Sequence, residues 1–133
     1  MQRDTAEFSG LTVHLLINYG GRDEILRAVK RWVSSETGEH GSSLESIESL
    51  DEGALQRHFD HPEVPEPDLI IRTGGQRRIS NFLLWGAAYA EFYFDQDLWP
   101  DWDEAHLRAA LDDYCERKRT FGGDTAIVAG NSR

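Results

Sequence analysis

The sequence is poor in cysteine and in long apolar runs. Cys115 is its single cysteine, which excludes an internal disulfide and is typical of a reducing compartment. No apolar run approaches the roughly 20 residues that span a bilayer. Residues 1–7 also lack the apolar core of a secretory signal. We therefore expect a cytoplasmic protein without a membrane anchor of its own.

Positive charge is scarce as well. The 133 residues carry 24 acidic and 14 basic side chains, for a net charge of -10, and only Lys30 and Lys118 are lysines. An acidic surface repels nucleic acid, so we expect no DNA or RNA partner. The acid-rich, lysine-poor composition also suits a cytoplasm of high salt, which gives the hypothesis of a halophilic source.

The order of the predicted elements indicates an α/β protein. Strands are predicted over residues 11–17, 68–71 and 91–94 from their apolar, β-prone composition. Helices are predicted over residues 23–34, 52–59 and 81–88, and from 101, where Asp101 has the spacing of a capping box, to near 121. This alternation favours a partial parallel sheet with flanking helices. Because a parallel sheet needs both faces covered, part of one layer is missing or comes from another chain.

The same patterns divide the chain into three parts. We expect a disordered or irregular N-terminus over residues 1–10, one domain over residues 11–123, and a flexible tail over residues 124–133. Within the domain, the Ser-, Gly- and Glu-rich residues 35–46 are predicted to form a mobile loop. Cys115 is expected to be a buried structural thiol on the last helix.

The most informative stretch lies between residues 68 and 82. Three arginines, two glycines and a serine fall within nine residues that contain no acid: Arg72, Gly74, Gly75, Arg77, Arg78 and Ser80. Glycine N–H groups can approach an anion closely, and guanidinium forks bind phosphate oxygens. Ser80 is placed to cap a helix beginning at Asn81, whose N-terminus would attract an anion. The alternative is that these arginines solvate a surface turn or pair with acids, but their clustering favours a phosphate or diphosphate site.

Three sequence motifs occur in a fixed order. They are Asn-Tyr-Gly-Gly-Arg at residues 18–22, Arg-Thr-Gly-Gly-x-x-Arg-Ile-Ser-Asn-Phe-Leu-Leu-Trp at residues 72–85, and Ala-Glu-Phe-Tyr-Phe followed by Leu-Trp-Pro-Asp within residues 90–101. Together they resemble the cis-prenyltransferase family, whose best-known members are undecaprenyl diphosphate synthases. The resemblance covers about residues 10–123 and implies the C-terminal part of that fold. It also implies a transferase of polyprenol and isoprenoid biosynthesis, which adds isopentenyl diphosphate to an allylic diphosphate in cis and uses Mg2+.

Site residues follow from the resemblance. Arg72, Arg78, Ile79 and Ser80 are implied to bind the diphosphate of isopentenyl diphosphate, and Glu91 is implied to be a Mg2+ ligand. Mg2+ commonly takes one or two carboxylates together with phosphate oxygens and water. Without the resemblance, a glutamate on an aromatic strand would be interpreted as a solvated edge residue. Residues 18–22 are implied to place the following helix beside the site.

The sequence also departs from the family pattern. An Asp-Gly-Asn block, which supplies the family's essential Mg2+-binding Asp and its allylic phosphate loop, does not occur before residue 11. Gln76 stands where relatives commonly carry Glu, Arg77 where some carry a metal-binding His, and Thr120 replaces the Arg of an Arg-x-Gly element. We therefore expect this chain to supply only an isopentenyl-diphosphate half-site, with no catalytic residue of its own.

The expected partners follow from that half-site. The chain is expected to form a homodimer, or a heteromer with a chain that carries the N-terminal half, and to contact membranes only through a lipid product. Two alternatives stay open at this point. One is a non-catalytic accessory subunit of a heteromeric cis-prenyltransferase, and the other is a degenerate remnant that binds diphosphates.

Overall fold

A computed structural model of the chain describes residues 4–36, 47–48 and 50–123. The elements with their bounds, in chain order, are helix α1 (Gly21–Glu36), helix α2 (Glu52–Gln56), strand β1 (Leu69–Arg72), strand β2 (Glu91–Phe94), a 3-10 turn (Trp99–Asp101) and helix α3 (Glu104–Glu116). Within these ranges, none of the helices combines the length and the apolar composition needed to cross a bilayer.

The two strands form a parallel sheet. Leu69 pairs with Glu91 at one end of the ladder and Arg72 pairs with Phe94 at the other. The rings of Phe92 and Phe94 lie 5.8 Å apart on one face, as expected for residues two apart on a strand. Helix α3 contacts β2, and α1 contacts α2. The α/β class, with a partial parallel sheet and helices beside it, is therefore confirmed.

The strand predicted over residues 11–17 is not formed. The backbone there is irregular, and Leu11, Val13 and Ile17 are 91%, 70% and 85% exposed. An apolar, β-prone segment becomes a strand only where a neighbouring strand and a packing surface receive it. In the described ranges the sheet consists of β1 and β2 alone, and this segment pairs with neither.

The helix predicted over residues 81–88 is also absent. The chain forms a series of turns there, and three residues close to its start adopt left-handed backbone angles: Ser80 (φ 50°), Asn81 (φ 64°) and Leu83 (φ 44°). These angles are incompatible with a right-handed helix. The predicted capping role of Ser80 is therefore wrong, because no helix begins at Asn81.

Helix α1 is confirmed and extends two residues beyond its prediction at each end. Its inner face buries Ala28 and Trp32, whereas Leu26 and Val33 of the predicted apolar face are 58% and 38% exposed. The predicted loop begins inside this helix at residues 35–36, and its remainder over 37–46 lies outside the described residues. The predicted tail over 124–133 lies outside them too.

Helix α2 is shorter than predicted. It ends at Gln56, three residues before the predicted end, and Asp51 caps it by accepting a hydrogen bond from the Ala54 N–H. Just beyond it, Asp60 accepts hydrogen bonds from Arg27 Nε at 3.2 Å and from Arg31 Nη2 at 2.7 Å, both on α1. The hydrogen bond from Arg27 is the main cause that lowers the pKa of Asp60 to about 2. This carboxylate therefore fastens α1 to the segment that follows α2.

Helix α3 begins and ends differently from its prediction. Asp101 lies in the 3-10 turn, and the N-cap is Asp103, which forms a capping box with His106. The helix ends at Glu116 rather than near residue 121. Cys115 is exposed rather than buried, because it lies on the solvent face of this helix.

Candidate functional site

The arginine loop, defined here as residues 72–80, leaves the carboxyl end of β1 through a glycine turn. Gly74 and Gly75 have φ angles of 84° and 72°, in the left-handed region that favours glycine. Their N–H groups donate to the carbonyl oxygens of Asp97 and Asp95, each at 2.7 Å. The proposal from sequence that these two N–H groups bind an anion is therefore wrong. They anchor the loop to the segment that follows β2.

Within the arginine loop, Arg72 and Arg78 come together. Nη1 of Arg72 donates to the carbonyl oxygen of Arg78 at 2.6 Å, and in the described part of the chain Nε and Nη2 of Arg72 have no protein acceptor. Arg77 and Arg78 are exposed. The structure thus places the side chain of Arg72 against the backbone of Arg78, the other predicted substrate-binding arginine.

These arginines are not neutralised by acids. Across residues 4–36, 47–48 and 50–123, Arg72, Arg77 and Arg78 form no ion pair. Other arginines of the same chain do pair, as Arg31 does with Asp60 and as Arg117 does with Glu91. Within the part of the chain that the structure describes, the loop arginines therefore do not pair with acids, contrary to that alternative.

The far end of the loop lies against the N-terminus of α1. The Gly21 N–H donates to the carbonyl oxygen of Asn81 at 2.7 Å, and the Arg22 N–H donates to Asn81 Oδ1 at 2.9 Å. Ile79 is half-buried and lines an open cavity of about 310 Å³ with Arg22, Asn81 and Leu84. Residues 18–22 therefore do lie beside the arginine loop, which agrees with the structural role implied for them.

Ser80 is brought into the same region but has no capping function. It is exposed, with the left-handed φ of 50° given above, and no hydrogen bond of its hydroxyl to the described protein atoms is present. Its hydroxyl is consequently available to a ligand that approaches Arg78.

Glu91 is placed apart from the arginines. It pairs with Leu69 in the ladder, whereas Arg72 pairs with Phe94, three residues further along. At about 3.3 Å per residue this separates the two positions by about 10 Å along the strands. Since side chains alternate along a strand and paired positions share a face, Glu91 and Arg72 also lie on opposite faces of the sheet.

Glu91 has a cationic partner that the sequence did not reveal. Its Oε2 accepts a hydrogen bond from Arg117 Nη1 at 2.9 Å, and the same nitrogen donates to the Phe92 carbonyl oxygen at 3.0 Å. Arg117 also pairs with Asp113, and the hydrogen bond to Glu91 is the main cause that raises the pKa of Arg117. The i,i+4 spacing of Asp113 and Arg117 at the end of a predicted helix was the available signal for an ordered arginine.

The residues around Glu91 fit a divalent cation only in part. Oε1 of Glu91 has no hydrogen bond to the described protein atoms, so one carboxylate oxygen is available. In the described ranges, however, no three His, Cys, Asp or Glu side chains converge on a common point. A Mg2+ ion held here would therefore take most of its ligands from diphosphate oxygens and water.

A second arginine missed by the sequence interpretation lies near Glu91. Arg119 pairs with Asp68, and its Nη2 donates to the Tyr89 carbonyl oxygen at 3.2 Å. Its guanidinium carbon lies 4.3 Å from the centroid of the Phe121 ring. These contacts hold the chain after α3 against the start of β2, and they border an open cavity of about 210 Å³ that Glu91 also lines.

The sequence of this chain is similar to those of known prenyl-chain transferases. The family described as putative undecaprenyl diphosphate synthase matches residues 1–122. An isoprenyl transferase of Treponema pallidum is 52% identical over 119 residues, which are 90% of this chain and 50% of that protein. An isoprenyl transferase of Aquifex aeolicus is 43% identical over 122 residues, covering 92% of this chain and 48% of its own length.

Solved structures lead to the same family. A probable undecaprenyl diphosphate synthase from Campylobacter jejuni matches with a TM-score of 0.74 at 36% identity, over 91% of this chain and 52% of that one. Lavandulyl diphosphate synthase from Lavandula x intermedia, in complex with dimethylallyl diphosphate, matches with a TM-score of 0.67 at 38% identity, over 80% and 44%. The chain spans about half the length of the relatives it matches. It belongs to the cis-prenyltransferase family, the family of the undecaprenyl diphosphate synthases.

Proposed function

We propose that this chain supplies the isopentenyl-diphosphate half of the active site of a prenyl-chain transferase of the undecaprenyl diphosphate synthase type. In this function, isopentenyl diphosphate is added in cis to an allylic diphosphate. The part of the fold that makes up the other half of the relatives' length completes the site, within a longer protein or from a partner chain. The observation that supports the proposal is the group of guanidinium side chains that have no acidic partner among the described residues, in a protein of net charge -10.

Each proposed contact uses an unoccupied donor. Among the described residues only Nη1 of Arg72 has an acceptor, which leaves Nε and Nη2 for phosphate oxygens, and Arg78 is exposed with its fork of donors. Ser80 adds a hydroxyl donor. Ile79 lies between Arg78 and Ser80 in the sequence and lines the open cavity. Its apolar side chain suits the five-carbon group of isopentenyl diphosphate.

In the proposed reaction the diphosphate group leaves the allylic substrate as its C–O bond breaks, and the double bond of isopentenyl diphosphate forms a bond to the allylic carbon. A proton then passes from the isopentenyl unit to the released diphosphate or to water. The part assigned to this chain is positioning, since fixed guanidinium groups hold the attacking substrate in one orientation. No residue of this chain is proposed as an acid or a base. Mg2+, when bound, would neutralise phosphate charge, and Glu91 is the residue proposed to hold it through Oε1.

The diphosphate assignment is tested by calorimetric titration of isopentenyl diphosphate into the wild-type chain and two variants, Arg72→Ala and Arg78→Ala. Each charge-assisted hydrogen bond contributes on the order of 1.5–3 kcal/mol, so each variant is expected to bind roughly tenfold more weakly or worse. Arg108→Ala is the matched control, because Arg108 is an exposed residue of α3 that in the described ranges pairs with Glu104 alone. Equal affinity of the wild type and both loop variants would contradict the proposal.

A second candidate, a non-catalytic accessory subunit, is favoured by one observation. Glu91 is engaged by Arg117 and lies on the sheet face opposite Arg72, so the proposed metal ligand lies apart from the proposed diphosphate ligand. An isopentenyl incorporation assay with Mg2+ and farnesyl diphosphate separates the two candidates. Product formed only after addition of an N-terminal half supports the half-site. A changed rate of an intact synthase, with no product from the complemented chain, supports the accessory subunit.

A further inference from the structure

The contact between Asn81 and the first turn of α1 is not explained by substrate binding alone. Backbone N–H groups at a helix start have no intrahelical acceptor, and a side chain immediately before the helix usually supplies one. Here the carbonyl oxygen and Oδ1 of Asn81 accept from the N–H groups of Gly21 and Arg22 instead. A residue 59 positions away from Arg22 thus acts as the cap of α1.

Two glycines at the start of α1 leave the space that this contact occupies. A Cβ added at Gly20 would lie 2.8 Å from Asn81 Nδ2, and one added at Gly21 would lie 2.9 Å from the backbone N of Leu84. Separations under 3.0 Å force a displacement of one partner. The two glycines therefore allow the end of the arginine loop to seat directly on α1.

Backbone strain concentrates at the same place. Ser80, Asn81 and Leu83 all have left-handed φ angles, although none of them is glycine. Such angles are disfavoured for residues with a Cβ, and asparagine tolerates them better than serine or leucine. They persist only where surrounding contacts fix them, and they are frequent at ligand sites. The bonds from α1 to Asn81 are contacts of this kind.

We propose that Asn81 is a positioning residue, which holds Arg78 and Ser80 in their diphosphate-binding geometry by docking the arginine loop onto the N-terminus of α1. This inference rests on the proposed function of the loop. Residues 76–80 lie between two anchors, the Gly75 N–H on the Asp95 carbonyl oxygen and Asn81 on α1. Without the second anchor the loop becomes ordered only when the ligand binds. The loss of conformational entropy at that step weakens the affinity for the ligand.

Two substitutions of Asn81 separate its side chain from its backbone. Asn81→Gly keeps the left-handed φ and the carbonyl acceptor but removes Oδ1. Asn81→Asp keeps an oxygen acceptor and adds a charge that suits a helix N-terminus. Arg108→Ala is again the control, because Arg108 lies outside both the arginine loop and α1 and in the described residues pairs with Glu104 alone.

Affinity for isopentenyl diphosphate is measured by calorimetry in about 0.5 M KCl, where the added charge of Asn81→Asp is largely screened. Asn81→Gly is expected to bind about fivefold more weakly, the effect of one lost hydrogen bond. Asn81→Asp and Arg108→Ala are expected to stay within about twofold of the wild type. Amide hydrogen exchange at Arg22 should accelerate in Asn81→Gly and return to the wild-type rate in Asn81→Asp.

Gly21→Ala perturbs the same contact from the helix side and leaves every loop side chain in place. Its new Cβ displaces Leu84, so weaker binding is expected here too, and this variant serves if Asn81→Gly does not fold. Wild-type affinity in Gly21→Ala or in Asn81→Gly overturns the positioning role and leaves the diphosphate site intact. Equal weakening in Asn81→Gly and Asn81→Asp overturns it as well. Absence of binding by the wild-type chain overturns the proposed function, and this inference with it.

Discussion

Replacing Arg117 with alanine tests whether Glu91 is held by its ion pair. The guanidinium of Arg117 joins β2 to the end of α3 through Glu91, the Phe92 carbonyl oxygen and Asp113. Truncation removes all of these contacts at once. It also leaves the Glu91 carboxylate without its cation on a face of the sheet that α3 contacts.

The expected magnitude follows from the exposure of the pair. Both side chains are 29% exposed, between the surface and the interior. Exposed ion pairs contribute about 0.2–1 kcal/mol, and hydrogen bonds to charged groups contribute about 1.5–3 kcal/mol. We therefore expect a coupling free energy of about 1 kcal/mol between Arg117 and Glu91 in a double-mutant cycle of Arg117→Ala and Glu91→Gln.

The assay is urea denaturation of the wild type, both single variants and the double variant, followed by circular dichroism. A second cycle on Arg108 and Glu104 is the control, because that pair is an i,i+4 contact with side chains 71% and 84% exposed. Its coupling should be at most about 0.5 kcal/mol. If the coupling of Arg117 with Glu91 is no larger than that of the control pair, Glu91 is not held in place, and the separation of metal and diphosphate sites inferred from it fails.

Three further predictions concern stability. Asp60→Asn should lower the free energy of unfolding by about 1–2 kcal/mol at neutral pH. This loss relative to the wild type should disappear as pH falls from about 4 towards 2, because the pKa of Asp60 is lowered to about 2 and its carboxylate stops stabilising the fold only when it protonates. His106→Gln should have the opposite pH dependence in thermal melts: hydrogen bonds to Asp103 and then Asp97 raise the pKa of His106, so its contribution is complete below about pH 6.5 and is lost as pH rises through the raised value. Gly75→Ala should cost about 1–2 kcal/mol in urea melts, since its φ is 72° and its Cβ would lie 2.9 Å from a side-chain oxygen, whereas Gly10→Ala, with nothing within 4 Å, should be neutral. Equal melts of Asp60→Asn and wild type at pH 7, a pH-independent effect of His106→Gln, or equal stability of the two glycine variants would each contradict the corresponding argument.

Local patterns were sufficient where an element depends on its own residues. The apolar spacing of α1 and the aromatic run of β2 predicted both elements, β2 with its exact bounds. Residues 11–17 and 81–88 were predicted wrongly because their structure depends on distant partners. The first segment lacks a neighbouring strand in the described ranges, and the second is held in turns by Asn81, whose partners lie about 60 positions earlier. Contacts between residues about 60 positions apart cannot be predicted from the composition of a stretch of ten residues.

The candidate site divides in the same way. Composition identified the arginine loop, because clustered arginines in an acidic chain point to an anion whatever the fold. Composition could not show that the Gly74 and Gly75 N–H groups are used by the chain after β2, nor that Glu91 has Arg117 as its partner. Those facts depend on which loops meet at the edges of the sheet. The family resemblance supplied Glu91 as a metal ligand, and its place relative to Arg72 required the structure.

The anchoring of the arginine loop has a consequence for its charge. Three contacts fix the loop: the Gly75 N–H donates to a backbone carbonyl oxygen, Arg72 Nη1 donates to another, and Asn81 accepts from backbone N–H groups of α1. None of these contacts uses an acidic side chain. These contacts therefore hold the loop without neutralising its guanidinium groups, in a chain that carries 24 acids. Like charges kept together in this way repel one another, and an anion relieves that repulsion when it binds. Affinity for isopentenyl diphosphate should consequently fall as salt rises, and it should fall less steeply in Arg78→Ala, which has one cation fewer. A calorimetric titration series between about 0.05 and 0.5 M KCl measures both slopes, and equal slopes would show that Arg78 does not act on the ligand through its charge.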